Sequence, residues 1–275
     1  VVSADLISLA AQSCENAHYG NSSGCSFPAP SLWTFIFKPW AHVGMDLNKP
    51  MLLSVICMVL IVVFFWGAFA KPKVRKPGKL QLIGEMGLDF VRRGVARDMI
   101  GKEGDRYVPY LVSLFFFVWL MNLMAIIPFA QFPVTSVIAF PAGLALTVWV
   151  TYMVLTFKRN GFVGGIKNLC VPPDVPLPIY FILTPVEFIS NIFFRPFTLA
   201  VRLFGNMFAG HLMIVMFSAA SWYLLSPSIG ALYSGASFVM TIVLTAFELA
   251  IQALQAYIFV MLTASYIGQA LSEEH

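Results

Sequence analysis

From Tyr107 to Phe157 the chain carries no charged side chain at all. As helix, such a run would be about 75 Å long, well over twice the roughly 30 Å hydrocarbon layer of a bilayer. Pro128 and Pro133, with Phe129-Ala130-Gln131-Phe132 between them, supply a break. The run therefore reads as two crossings, about 108–128 and about 137–157, the second ending at the basic pair Lys158-Arg159. The remainder of the chain agrees: 59% of its residues are hydrophobic and 11% charged, with a mean hydropathy of +0.81. Soluble domains carry about 25% charged residues. Seventeen basic and 13 acidic side chains do not make a water-facing surface for 275 residues. A soluble enzyme, a nucleic-acid-binding domain and a disordered chain are excluded, which leaves an all-α polytopic membrane protein.

Direction follows from the basic residues. Lys49 and Lys71 bracket MLLSVICMVLIVVFFWGAFA, a stretch of crossing length with no charge in it. A basic cluster follows at once, from Lys71 to Arg106, and short basic loops mark the cytoplasmic side. Residues 1–48 are thus expected outside, and residues 49–275 form one membrane domain with a cytoplasmic basic loop at 71–106. Acidic Glu85, Asp89, Asp98, Glu103 and Asp105 are interleaved in that loop, which argues against nucleic acid as its partner. Residues 80–100 read as an amphipathic surface helix, with Leu82, Ile83, Met86, Phe90 and Val91 at helical spacing. The segment Val171 to Pro178 is too rich in proline for helix interior and reads as a rigid cytoplasmic connection. Two apolar stretches follow, Ile179 to about Tyr223 and about Tyr233 to Leu271, parted at Ser226-Pro227-Ser228-Ile229-Gly230. Each is about twice the length of a perpendicular crossing, so each bends or lies tilted. Five hydrophobic segments and one surface helix result, with the C-terminus inside. No internal repeat is visible, which counts against secondary-transporter architecture. Cys14, Cys25, Cys57 and Cys170 show no metal spacing; Cys14 and Cys25 fit either a disulfide or two free thiols.

The last two segments, residues 179–271, carry ionisable residues that lipid penalises. A charge at the bilayer centre costs roughly 2.5–3.5 kcal/mol on insertion scales. Glu187, Arg195, Arg202, His211 and Glu248 are nevertheless there. Residues in such places face a partner or a water-filled path, and proton relays are a leading use. On an unbroken helix Arg195 and Arg202 fall within about 20° of each other, with Thr198, Asn206 and Ala209 on the same stripe. Glu187 lies about 60° from Arg202, and His211 points to the opposite side. Gly205, Ala209 and Gly210 remove bulk beside Arg202 and admit a neighbouring helix. Thr241, Glu248, Gln252 and Gln255 form a polar stripe on the last helix. Plainer uses compete with these readings. An arginine can pair with an acid such as Glu187 or Glu248, His211 can bond a backbone carbonyl, and Gln252 and Gln255 can join helices. Lys38, Lys49 and Arg106 sit at span ends as snorkelling anchors.

The run Arg195-Pro196-Phe197-Thr198-Leu199-Ala200-Val201-Arg202-Leu203-Phe204-Gly205-Asn206-Met207-Phe208-Ala209-Gly210-His211 closely resembles the signature of the a subunit of F-type ATP synthases. Glu248 followed by Gln252-Ala253-Leu254-Gln255-Ala256-Tyr257-Ile258-Phe259 is similar to that family's last helix. Residues 184–275 carry the strong match, and residues 50–160 resemble the family in span count and in Asn122-Leu123-Met124. The resemblance implies a stator wall against which a ring of c subunits turns, with two offset half-channels for ions. Arg202 matches the essential arginine that faces the ring carboxylate. Asn206, His211, Glu248 and Gln255 match positions of the outer half-channel, and Gln252 shares their stripe. In some members the acid holds the His211 position and the histidine the Glu248 position, so the two side chains are expected to be neighbours in one relay. Glu187 resembles the acid of the inner half-channel, although many members have one residue fewer between it and the proline matching Pro196.

The resemblance implies proton translocation coupled to rotation and no cofactor. It also implies partners: the c ring, b-type peripheral-stalk subunits and the rest of the synthase. The membrane is a bacterial plasma membrane, with an organellar inner membrane as the alternative. The chain would not hydrolyse ATP itself, since it contains no G-x-x-x-x-G-K-[ST] run. A self-contained ion channel or secondary transporter is the alternative reading, and an intramembrane hydrolase lacks an evident nucleophile and base. Sodium coupling stays open, because the ion site would lie on the ring.

Overall fold

The computed structural model describes residues 41–42, 46–70, 78–127, 130–170, 177–224 and 229–271. These residues form two compact units, one of residues 38–208 with 249–275 and one of residues 209–248. The expectations for Cys14 and Cys25, and those for residues 1–40 in general, lie outside the described residues.

The larger unit begins with a two-residue antiparallel pairing, β1 (Ala41–His42) with β2 (Asp46–Leu47). Helix α1 (Lys49–Phe69) follows, opened by Pro50 in the first turn, where a missing N–H costs nothing. Only Pro50, Leu53, Cys57 and Ala68 of α1 are buried. Leu52, Val55, Ile56, Met58, Val59, Leu60, Val62, Val63 and Trp66 face outward. A helix apolar on every side and packed on only one needs hydrocarbon around the rest.

Helix α2 (Lys79–Val91) continues through a π turn at Arg92–Ala96 into a last turn at Arg97–Met99. The surface helix expected at 80–100 is there, but its inward face differs from the apolar set read from the sequence. Gln81, Gly84, Val91, Val95 and Ala96 are buried, whereas Leu82, Ile83, Met86 and Phe90 are exposed. Small residues explain the choice. A Cβ on Gly84 would lie 3.3 Å from that of Ala68, and one on Gly87 would lie 2.6 Å from the Phe116 ring. The glycine face lets α2 press against its neighbours, and the large apolar face is left for lipid. The basic loop is tied down by its own acids. Arg92 and Arg97 each donate two hydrogen bonds to Asp105, at 2.8–3.2 Å, and Arg159 pairs with Glu103 at 2.7 Å. The two guanidinium groups hold the Asp105 carboxyl well below the usual carboxylate range, and Asp105 in turn raises Arg92.

Helix α3 (Val108–Leu123) ends sooner than the sequence reading of about 128, because the chain turns where Asn122 anchors it. Thr135 Oγ1 donates to the buried Asn122 Oδ1 at 2.5 Å, and the Phe132 amide donates to the Met124 carbonyl at 3.3 Å. Gln131 takes the left-handed conformation, φ 41°, that closes the turn. Helix α4 (Ala139–Cys170) kinks at Gly161, φ 69°, just past Lys158-Arg159. Of the proline-rich connection, residues 171–176 are outside the described set. Leu177 and Pro178 already belong to helix α5 (Leu177–Ile189), where the proline fits the first turn. A π turn at Ser190–Phe194 joins α5 to α6 (Arg195–Tyr223), and α7 spans Ile229–Leu271. The core of this unit is packed from Val91, Val95, Leu111, Val118, Val148, Leu199, Leu203, Phe259 and Ile267.

The smaller unit consists of the later part of α6 and the earlier part of α7. Ser234 Oγ donates to the Ser221 carbonyl at 2.6 Å across it.

Among the described residues, four stretches are long and apolar enough to cross a membrane: Lys49–Phe69, Ala139–Gly161, Leu183–Trp222 and Gly230–Leu271. With the shorter Val108–Leu123 they make up the five hydrophobic segments expected, and the protein is an all-α polytopic membrane protein. The last two, 40 and 42 residues long, would reach about 60 Å each, so tilt or bending is required of them.

The end of α7 is docked by backbone contact. A Cβ on Gly268 would lie 2.5 Å from the Met99 carbonyl oxygen. Gly268→Ala should therefore lower the amount of subunit held in membranes, by overpacking of about 1–3 kcal/mol. Gly94→Ala, where nothing lies within 4 Å, should be silent. Immunoblots of washed membranes distinguish the two, and equal levels would contradict the docking.

Candidate functional site

Pro196 shapes the first half of the site. It lacks an N–H, so the α-helical ladder cannot run unbroken through the residues before it. The chain answers with the π turn: the Arg195 amide donates to the Ser190 carbonyl, five residues back. One π turn takes up one residue, about 100° of rotation. Glu187 and Arg195, about 80° apart on an unbroken helix, come within about 20°. The Arg195 guanidinium lies 4.0 Å from the Glu187 carboxylate and 5.0 Å above the Tyr266 ring. The angle of about 60° read between Glu187 and Arg202 assumed regular α-helix and is corrected by the same turn. The residue taken up also accommodates the longer spacing between Glu187 and Pro196 noted in the sequence.

Arg195 and Arg202 were read as one stripe, yet they are used differently. Arg195 is turned into the protein, onto Tyr266. Arg202 is exposed, and among the described residues no acid is paired with it. Phe194, Phe197 and Val201 are exposed beside it, while Leu199, Ala200, Leu203 and Met207 pack inward. Space next to Arg202 is open, since nothing lies within 4 Å of a Cβ placed on Gly205. The plain reading, an arginine paired with an acid, thus holds for Arg195 and not for Arg202. Thr198, also exposed, donates its hydroxyl to the Phe194 carbonyl at 2.7 Å.

Within the same unit Asn206 Nδ2 donates to Gln255 Oε1 at 2.9 Å, joining α6 to α7. Gln252 is fully buried with neither amide atom hydrogen-bonded to protein, and Gln255 Nε2 is likewise buried without a protein partner. Two helix-joining glutamines would satisfy each other's amides. Here the Gln255 carbonyl accepts from Asn206 instead, and buried amides of this kind are ordinarily satisfied by ordered water.

In the smaller unit Glu248 is buried, and a Cβ on Gly210 would lie 3.5 Å from its carboxyl carbon. His211 is the next residue along α6, half-buried. The glycine thus brings the Glu248 carboxyl close to the α6 backbone beside His211. Sequence reasoning missed Tyr266, the ring beneath Arg195, and the neighbouring Tyr152, whose hydroxyl donates to the Asn191 carbonyl. Tyrosines among the apolar residues of long spans read as packing, and only the lost donor at Pro196 hints that a hydroxyl is needed nearby.

Residues 51–268 match the model of the family described as ATP synthase A chain. The chain belongs to that family. The a subunit of the ATP synthase of Streptomyces lividans is 57% identical over 256 residues, covering 92% of this chain and 90% of that one. The a subunit from Frankia alni is 44% identical over 256 residues, with 90% and 88% covered. That of Hyphomonas neptunium is 40% identical over 224 residues, with 80% and 84% covered. With its apolar helices and these bacterial relatives, the chain is a multi-pass membrane protein of the bacterial type. The match takes in every charged residue discussed above, from Glu187 to Glu248.

Proposed function

We propose that the chain is the ion-translocating stator subunit of a bacterial F-type ATP synthase, carrying protons through two offset half-channels past a ring of c subunits. The observation that carries this reading is Arg202: a cation, exposed, on an apolar helix face with open space at Gly205. Lipid would penalise it there, whereas a second subunit bringing a carboxylate to that face would be held to it. A fixed cation within about 4–6 Å keeps a carboxylic acid ionised, and arginine stays charged where lysine would not. Arg202 thus keeps the passing ring carboxylate ionised and bars direct passage between the half-channels. Asn206, His211, Glu248, Gln252 and Gln255 line the outer path, and the buried amides without protein partners support a hydrated one. Glu187, beside Arg195, serves the inner path. The b-type stalk holds the chain against rotation.

The basic residues from Lys71 to Arg106 support an orientation with residues 1–48 outside and the C-terminus in the cytoplasm. In a chain freed of its native cysteines, Gly20→Cys should react with an impermeant thiol reagent added to intact cells, and Lys102→Cys should not. The opposite labelling would invert the half-channels.

His211 and Glu248 act as one relay. His211→Ala and Glu248→Ala should each slow ATP-driven proton pumping strongly in assembled complexes. The exchange His211→Glu with Glu248→His should recover part of the loss; an additive result would separate the two residues.

Arg202→Ala should abolish ATP synthesis from a proton gradient, leave assembly intact and open a passive leak through the membrane sector. Arg202→Lys should fare poorly too, because a desolvated amine loses its charge. Near wild-type synthesis in Arg202→Ala membranes would move the barrier away from this residue.

A further inference from the structure

The π turn at Ser190–Phe194 takes the Asn191 carbonyl away from its α-helical donor. In an α-helix the Asn191 carbonyl would accept from the Arg195 amide, but that amide is bonded to Ser190. The next amide along belongs to residue 196, a proline, which has none to offer. Tyr152, on α4, donates its hydroxyl to the Asn191 carbonyl, and both residues are buried. A buried tyrosine usually finds some acceptor. Here the acceptor is the carbonyl that the π turn and Pro196 together deprive of helical partners. The ring of Tyr152 also lies against that of Tyr266, 5.7 Å between centroids, and Tyr266 is the ring beneath Arg195. One phenol therefore touches both supports of the Glu187–Arg195 pair.

We propose that Tyr152 is a positioning residue for the inner half-channel: its hydroxyl fastens the π turn that brings Glu187 into line with Arg195. This rests on the reading of Glu187 as the inner-path acid. Tyr152 does not itself carry the proton; it sets the register of the residue that does. Loss of the hydroxyl frees the α5–α6 junction to change its turn, and Glu187 then rotates away from Arg195.

The test uses the whole synthase in inverted membrane vesicles. Tyr152→Phe keeps the ring and should lower ATP-driven proton pumping per assembled complex about tenfold, the scale of removing one buried hydrogen bond. ATP hydrolysis by the released catalytic head should be unchanged. In a Glu187→Gln background the same change should cost nothing further, since the carboxylate it positions is gone; an equal further loss there would mean a merely structural tyrosine and would overturn the proposal. If Tyr152→Phe complexes fail to accumulate, the proposal is overturned as well, because a positioning residue leaves assembly intact. Should Arg202→Ala behave as expected while Tyr152→Phe pumps at the wild-type rate, only the role of Tyr152 falls. Should Arg202→Ala pump normally, the reading on which it rests falls as well.

Discussion

Inside hydrocarbon no bulk water completes a broken hydrogen-bond ladder, so each peptide group must find its partner within the protein. Pro196 removes a donor at the start of α6, and the surrounding structure answers that loss. The Arg195 amide reaches back five residues, and the Tyr152 hydroxyl takes the carbonyl left over. The consequence is rotational. Everything before the turn swings by about 100° relative to everything after it. Glu187 comes under Arg195, Arg195 settles on Tyr266, and Arg202, about two turns further along α6, is a cation left facing outward.

The two arginines show how environment divides identical chemistry. Arg195 has an acid and an aromatic face within reach, so its charge is largely spent inside the protein. Arg202 is flanked by exposed aromatic and aliphatic side chains and by the open space at Gly205. Burying both would have made a structural pair of clamps. Leaving one outside gives the subunit a fixed charge to present to another chain.

Much of the fold was legible because lipid simplifies sequence. Charge-free runs and their proline break marked the first three hydrophobic segments, and two long apolar stretches parted at Ser226–Gly230 marked the last two, with errors of a few residues where Asn122 and Gly161 set the real ends. The inward face of α2 was not legible. Hydrophobic periodicity finds the core of a soluble helix, but in a membrane the large apolar residues belong equally to lipid, and the packed face is the one with Gly84 and Gly87. The charged residues of the site were legible for the opposite reason, that lipid makes each of them expensive. The π turn was not, because helical-wheel arithmetic assumes 3.6 residues per turn throughout, and Tyr152 and Tyr266 were hidden among residues of ordinary packing type.

Exposure also weighs against a self-contained channel. A channel encloses its path, so its polar residues converge on a lumen built from its own helices. The amides of Gln252 and Gln255 are buried, and so, in the smaller unit, is Glu248. Arg202 is not. With Arg202 as the cation of the proposed ion path, a path whose cation lies on the outer face of a helix is complete only when a second surface covers it. For the cation to act on successive carboxylates, that surface has to move past it. Enclosed amides on one side and an uncovered guanidinium on the other are what a half-channel ending at a sliding interface requires.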